Sequence, residues 1–184
     1  MAHKFDEFVR GEQEKWKASK GVNVDWQARK TEWLGHVDSL YGQATKFLQP
    51  YLDEHQISVR YRSKKMNEEY LGTYTAKEML ITFGTKTVKL EPIGTLIIGS
   101  RGRVDVVGPV GRGVLVLLDR EVKEVSQLIR ISVSIDGKPP VPPPSKKASD
   151  VSWVWRIMAR PPKQVIVELN KDTFYNLVLE VANG

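Results

Sequence analysis

Cysteine is absent from this 184-residue chain, which removes disulfides, zinc–thiolate centres and thiol nucleophiles together. Histidine is scarce: His3, His36 and His55 are the three copies. None lies in an HExxH pattern, and neither GxSxG nor a recognisable Asp/Glu–His spacing occurs, so the usual signatures of metal and serine hydrolases are missing. His36 falls beside an apolar helical stripe, and His55 follows Asp53 and Glu54, neighbours that point apart on a helix. Long apolar runs are missing too. "VLVLL" at 114–118 is far short of the roughly 20 residues that span a bilayer. The N-terminal "MAHKFDEFVRGEQEKW" has no apolar stretch leading to a small-residue cleavage site. These absences predict a cytoplasmic protein without metal, cofactor or membrane association, and argue against an enzyme.

What is present begins with charge. The net charge is +6, but residues 1–56 hold 8 Lys/Arg against 9 Asp/Glu, and residues 57–184 hold 20 against 13. Any polyanionic partner is therefore expected on the second part of the chain.

The period of the apolar residues divides the chain at the same place. Residues 1–56 read as a helical segment, with Phe5, Phe8, Val9 and Trp16 on one face of a first helix that stops near Gly21. A second helix, capped by Asn23 or Asp25, carries Trp33, Val37, Leu40, Ala44, Phe47 and Tyr51 at intervals of four and three. Leu34, Tyr41 and Leu48 widen this stripe at sevenfold spacing. Pro50 is expected to end or kink it near Gln49. Gly35 and Gly42 cost helix propensity, which predicts a neighbour packed closely against them.

Residues 57–184 alternate instead, with strands expected at 57–63, 78–83, 86–91, 94–98, 103–107, 114–119, 128–135, 151–159 and 164–169. Close spacing and turns such as "FGTK" favour an antiparallel meander, since parallel crossovers need a dozen or more residues. Eight or nine such strands are expected to curl strongly into a sandwich or barrel. A short C-terminal helix follows, capped by Asn170 or Asp172, with Phe174, Leu177, Val178 and Val181 inward. The expected class is α+β. Residues 138–150, with five prolines in the six positions 139–144, read as a protruding polyproline spacer.

The stretch "GSRGRVDVVGPVGRG" at 99–113 holds five glycines and three arginines. A phosphate-cradling loop needs a helix N-terminus behind its glycines, and this stretch runs into a strand, so it reads as two turns around "RVDVV" with no bound anion. The alternation of Trp153 and Trp155 with Val151, Ile157 and Ala159 marks core, or a surface beneath the helices. Asp105, Asp119, Asp136 and Glu168 are acidic positions in or beside strands whose spatial pairing the sequence leaves open.

Two functional readings follow. In the first, the chain is a non-enzymatic interaction or structural module that self-associates, or binds another protein, through Trp33, Val37, Leu40, Ala44, Phe47 and Tyr51. In the second, nucleic acid or another polyanion meets a basic sheet face made of Arg60, Arg62, Lys64, Arg156 and Arg160. In that face the aromatics point away from the cations, unlike the stacking platforms of single-strand binders.

Overall fold

The computed structural model describes Arg10 and residues 25–95, 100–128, 151–159 and 165–184. The first expected helix apart from Arg10, the proline-rich loop, Arg160 and all but Leu128 of the strand expected at 128–135 lie outside the described residues.

Helix α1 spans Trp26–Asp53. It starts where the side chain of Asp25 accepts the Ala28 N–H at 2.9 Å, satisfying one of the donors a helix start leaves free. Pro50 does not stop it: the helix runs on to Asp53, because a proline in the last turn forfeits one hydrogen bond while its own carbonyl still accepts from Glu54. The end comes at His55, whose φ of 59° turns the chain left-handed. Gly35 and Gly42 correct a second expectation. Both are exposed, and a methyl added to either meets nothing within 4 Å among the described residues, so no close neighbour among these explains them.

Strands β1 (Ser58–Glu68), β2 (Gly72–Phe83), β3 (Lys86–Gly94), β4 (Gly102–Val107), β5 (Arg112–Asp119), β6 (Trp153–Met158) and β7 (Ile166–Glu168) follow, then helix α2 (Lys171–Asn183). All strand pairs are antiparallel and neighbours in sequence are neighbours in space. The expected sandwich or barrel is not formed. The described strands number seven, and they make one open sheet with β1 and β7 as its edges. Closure is unnecessary because two helices cover the apolar face: Met79, Ile81, Val88, Leu90, Val104, Val106, Leu115, Leu117, Trp155 and Ile157 share one buried cluster with α1 and α2. The segment expected as a separate strand at 94–98 has its first residue in β3, which runs past Pro92 through a register shift to Gly94. The β1–β2 hairpin is longer than alternation suggested, since its outer half, "SKKMNEEYLGTYTAKE", is too polar to show an apolar period.

The buried stripe of α1, Trp33, Val37, Leu40, Tyr41, Ala44 and Leu48, lies over this cluster, each large side chain stabilising the fold by about 1.5–3 kcal/mol. Tyr41 reaches the place where β2 and β3 part. Its hydroxyl proton is shared between the carbonyls of Lys77 at 2.6 Å and Leu90 at 3.2 Å, and burial pushes the phenol above its ordinary range, with Glu78 and Asp38 adding to it.

Helix α2 begins with a reciprocal cap: Asn170 Oδ1 accepts the Thr173 N–H at 3.0 Å, and Thr173 Oγ1 accepts the Asn170 N–H at 2.9 Å. At its other end the glycine stretch comes into use. The N–H groups of Val110 and Gly111 donate to the Val181 carbonyl at 3.0 and 3.1 Å, and Lys86 Nζ donates to Ala182 O at 3.1 Å. Backbone donors of the glycine loop do meet an oxygen acceptor, and it is the chain's own helix C-terminus.

Candidate functional site

Of the cations expected to form a basic face, Arg60, Arg62, Lys64 and Arg156 lie on the sheet face opposite the helices, Arg160 lies outside the described residues, and a row of carboxylates lies among the first three. Arg62 donates through Nε and Nη2 to Glu78 Oε2 at 3.0 and 2.7 Å. Lys64 Nζ donates to Glu91 Oε1 at 2.8 Å and to the Pro92 carbonyl at 2.8 Å. Lys89 adds a contact to Glu91 at 2.9 Å. Asp105, directly opposite Glu91 in the β3–β4 ladder, is held by Arg103 and Arg112. Arg60 is exposed and has no carboxylate partner among the described residues. Arg156 sits on the same face but five strands away, about 24 Å at the usual strand spacing, so the structure does not bring it together with Arg60, Arg62 and Lys64. The acidic members come from three different strands, which is why no single run of sequence displays them.

This network makes stability depend on acid. The Lys64 hydrogen bond, together with Lys89 and against the opposing effect of burial, holds the Glu91 carboxyl down at about 2, below its ordinary 4.5. A depressed folded-state value contributes stability that is complete above pH 4.5 and is lost as pH falls toward 2. With part of the pair exposed, a loss of about 1–2 kcal/mol is expected between about pH 5 and pH 2.5. Urea midpoints at those two values should differ less in Lys64→Met than in the wild type; an equal difference would remove the pair as the cause.

The helix residues expected as an interface divide differently. Trp33, Val37, Leu40 and Ala44 are buried by the chain's own sheet and α2, Phe47 is half-buried, and Tyr51 is 41% exposed. Tyr51, with Ile57, Phe83, Tyr175 and Leu179, lines a small apolar groove where the last turn of α1 runs beside α2.

The most chemically equipped hollow is a polar cleft of about 490 Å³ at the other side of the sheet. It exists because β7 pairs only with Arg156–Met158, leaving Trp153–Trp155 of β6 with no neighbour on that side among the described residues. The cleft wraps round this free edge. His36, Ser39 and Gln43 line it from α1, at positions i, i+3 and i+7 of one helical face. Trp153, Val154, Trp155 and Arg156 line it from β6, Arg120 from the turn after β5, and Glu168 and Leu169 from the end of β7.

Each wall is fixed by its own contacts. Trp155 Nε1 donates to the His36 carbonyl at 3.0 Å, and its ring lies 6.1 Å from that of Trp33, so this indole is held against the helix. The Arg101 guanidinium stands 5.4 Å from the Trp153 ring centroid and donates to Glu32 Oε2 at 2.7 Å. Burial pushes the Glu32 carboxyl up, but the Arg101 hydrogen bond and charge, with His36, outweigh it and hold the group below its ordinary value. Glu32 also lies 3.6 Å from His36 Nε2. Arg156 is less well provided. Its side chain is 16% exposed and, among the described residues, its one carboxylate neighbour is the exposed Glu168 at 3.7 Å and its buried Nε has no acceptor. Two cations, two indoles and the polar side chains of Ser39 and Gln43 thus line one space: an arrangement able to hold an oxyanion attached to a flat group.

Of the cleft residues, Arg156 is one of the expected cations, and Trp153 and Trp155 fall where the sequence expects core or a surface beneath the helices, Trp155 lying against α1. Arg120, Ser39 and Gln43 are not among the residues the sequence singles out, and Glu168 is one of the acidic positions whose pairing it leaves open. The signal for the helical members was a polar line beside the apolar stripe; nothing local marked Arg120. No helix among the described residues is long and apolar enough to cross a membrane, and no three-residue metal-binding cluster of His, Asp or Glu occurs among them. No protein-family model, curated protein or solved structure matches this chain, so the functional reading stands on the geometry of the cleft.

Proposed function

We propose that the protein is a binding module that takes an anionic group, a carboxylate or a phosphate on a planar carrier, into the cleft between α1 and β6. The observation that carries this reading is Arg156. A guanidinium that is mostly buried and that has, among the described residues, no acceptor for its Nε and one carboxylate no nearer than 3.7 Å sits at an energetic disadvantage that a ligand oxyanion would relieve. Arg120 supplies a second cation and the Trp153 and Trp155 indoles a surface for the carrier. The carboxylate row on the far face argues for this cleft over the sheet as the place where an anion is received.

Tryptophan fluorescence provides the test, because two of the five tryptophans line the cleft. Phenyl phosphate, benzoate and inorganic phosphate serve as probes, so that the anion and its carrier are separated. Phenyl phosphate is expected to saturate with a Kd on the order of 100 μM and inorganic phosphate to bind more weakly. Arg156→Met is expected to weaken phenyl phosphate about tenfold or more, as loss of a charge-assisted contact does. Saturation unchanged in both Arg156→Met and Arg120→Met, or no saturable signal from any probe, would overturn the assignment.

A further inference from the structure

We propose that the free edge of β1 is a docking strand for an extended segment of a partner protein in which apolar and acidic side chains alternate. All eleven residues of β1 pair with β2, and no strand lies on the other side among the described residues. The result is an edge of about 36 Å carrying unpaired backbone donors and acceptors, the template used when a peptide adds a strand to a sheet. The two sides of that edge differ in chemistry. Arg60, Arg62 and Lys64 point to the face away from the helices; Arg60 has no carboxylate among the described residues, and the Arg62 side chain remains 63% exposed although it holds Glu78. On the other side Tyr61 is 52% exposed beside the ring of Tyr41. An added strand would therefore set acidic side chains against the first row and apolar ones against Tyr61 and Val59. A second copy of this chain fits poorly. Antiparallel β1–β1 pairing would place the row of cations against its own duplicate, and like charges directly opposite repel.

This edge and the cleft lie on different strands, so each can fail without the other. The probe is an acetylated, amidated peptide of about eight residues alternating Val and Glu, with a Val–Lys peptide of equal length as its counterpart. Amide hydrogen exchange of the whole chain is followed by NMR. The Val–Glu peptide is expected to slow exchange at alternate amides of residues 58–68 and to leave the cleft unaltered, with a Kd on the order of 100 μM. Arg60→Glu, on an exposed side chain whose replacement leaves the core intact, is expected to weaken binding about tenfold. Equal binding of the Val–Lys peptide, protection elsewhere on the chain, an unaffected Arg60→Glu variant, or a β1 edge already protected by self-association would each overturn the proposal. The last would show the charged edge to be occupied by a second copy, and the absence of any protection would show it to be a device against strand pairing alone.

Discussion

Arg103→Met is expected to destabilise the protein by about 3 kcal/mol, while Asp105→Val should cost no more than about 1 kcal/mol. The asymmetry follows from where each partner lies. Asp105 sits at the centre of the sheet with none of its surface exposed. It accepts from Arg103 Nε at 2.5 Å and Nη2 at 3.1 Å, and from Arg112 Nη1 at 3.2 Å. Removing Arg103 leaves a buried carboxylate with one guanidinium whose side chain is 55% exposed, a costly state because the charge has left water without adequate compensation. Removing the carboxylate instead frees two arginines that can both reach solvent, and valine suits a strand flanked by Val104 and Val106. The double variant should resemble Asp105→Val alone. Guanidinium unfolding of the three variants checks this; a Val variant less stable than the Met variant would mean that Asp105 contributes through something other than its charge being matched.

Gly108→Ala is expected to cost about 3 kcal/mol. A methyl there would lie 2.2 Å from the Val181 carbonyl oxygen and 2.6 Å from its carbon. Backbone at the end of a packed helix cannot rotate aside as a side chain can, so the end of α2 must shift and the hydrogen bonds from Val110 and Gly111 to that carbonyl must stretch or break. Gly113→Ala meets the tip of Leu177 at 2.3 Å, a side chain with other rotamers, and should cost less. Gly35→Ala and Gly42→Ala, with open space around each new methyl among the described residues, should stabilise by about 0.5–1 kcal/mol each through helix propensity. Thermal unfolding of the four variants ranks them directly. Equal losses at positions 108 and 35 would show that the helix end does not press on the loop.

How far the fold could be read from sequence depended on the range of the cause. The stripe of α1 and the Asn170 cap of α2 are set by residues within a few turns of one another, and both were legible. The antiparallel order of the seven described strands was legible for the same reason, although the strand expected at 94–98 has only its first residue in β3 and that at 128–135 lies almost wholly outside the described residues. Whether the sheet closes was not, because that depends on what covers its apolar face. The helices do so here, with Trp33 pressed on Gly102, where a methyl would lie 2.2 Å from the indole. The turn at residues 108–111 was legible as a turn, while Gly99 of the expected first turn lies outside the described residues; that Gly102 and Gly108 are small because helices rest on them required the third dimension. The candidate site was harder still. Alternation placed Trp155 inward, but the cleft arises from the shortness of β7, and no periodicity reports where a strand stops pairing. Arg62 and Lys64 read as a free basic row because Glu78, Glu91 and Asp105 arrive from other strands.

Indole N–H resonances in a 15N spectrum give the most direct test of the cleft as a binding site. On addition of phenyl phosphate to roughly 10 mM, well above the expected Kd, the signals of Trp153 and Trp155 are expected to move together along saturating curves. The signal of Trp26, stacked on Tyr70 with ring centroids 4.8 Å apart and away from the cleft, should stay in place. An unmoved Trp153 and Trp155 pair at that concentration, or a shift of Trp26 alone, would contradict the assignment of the cleft between α1 and β6 as the site at which this protein meets its ligand.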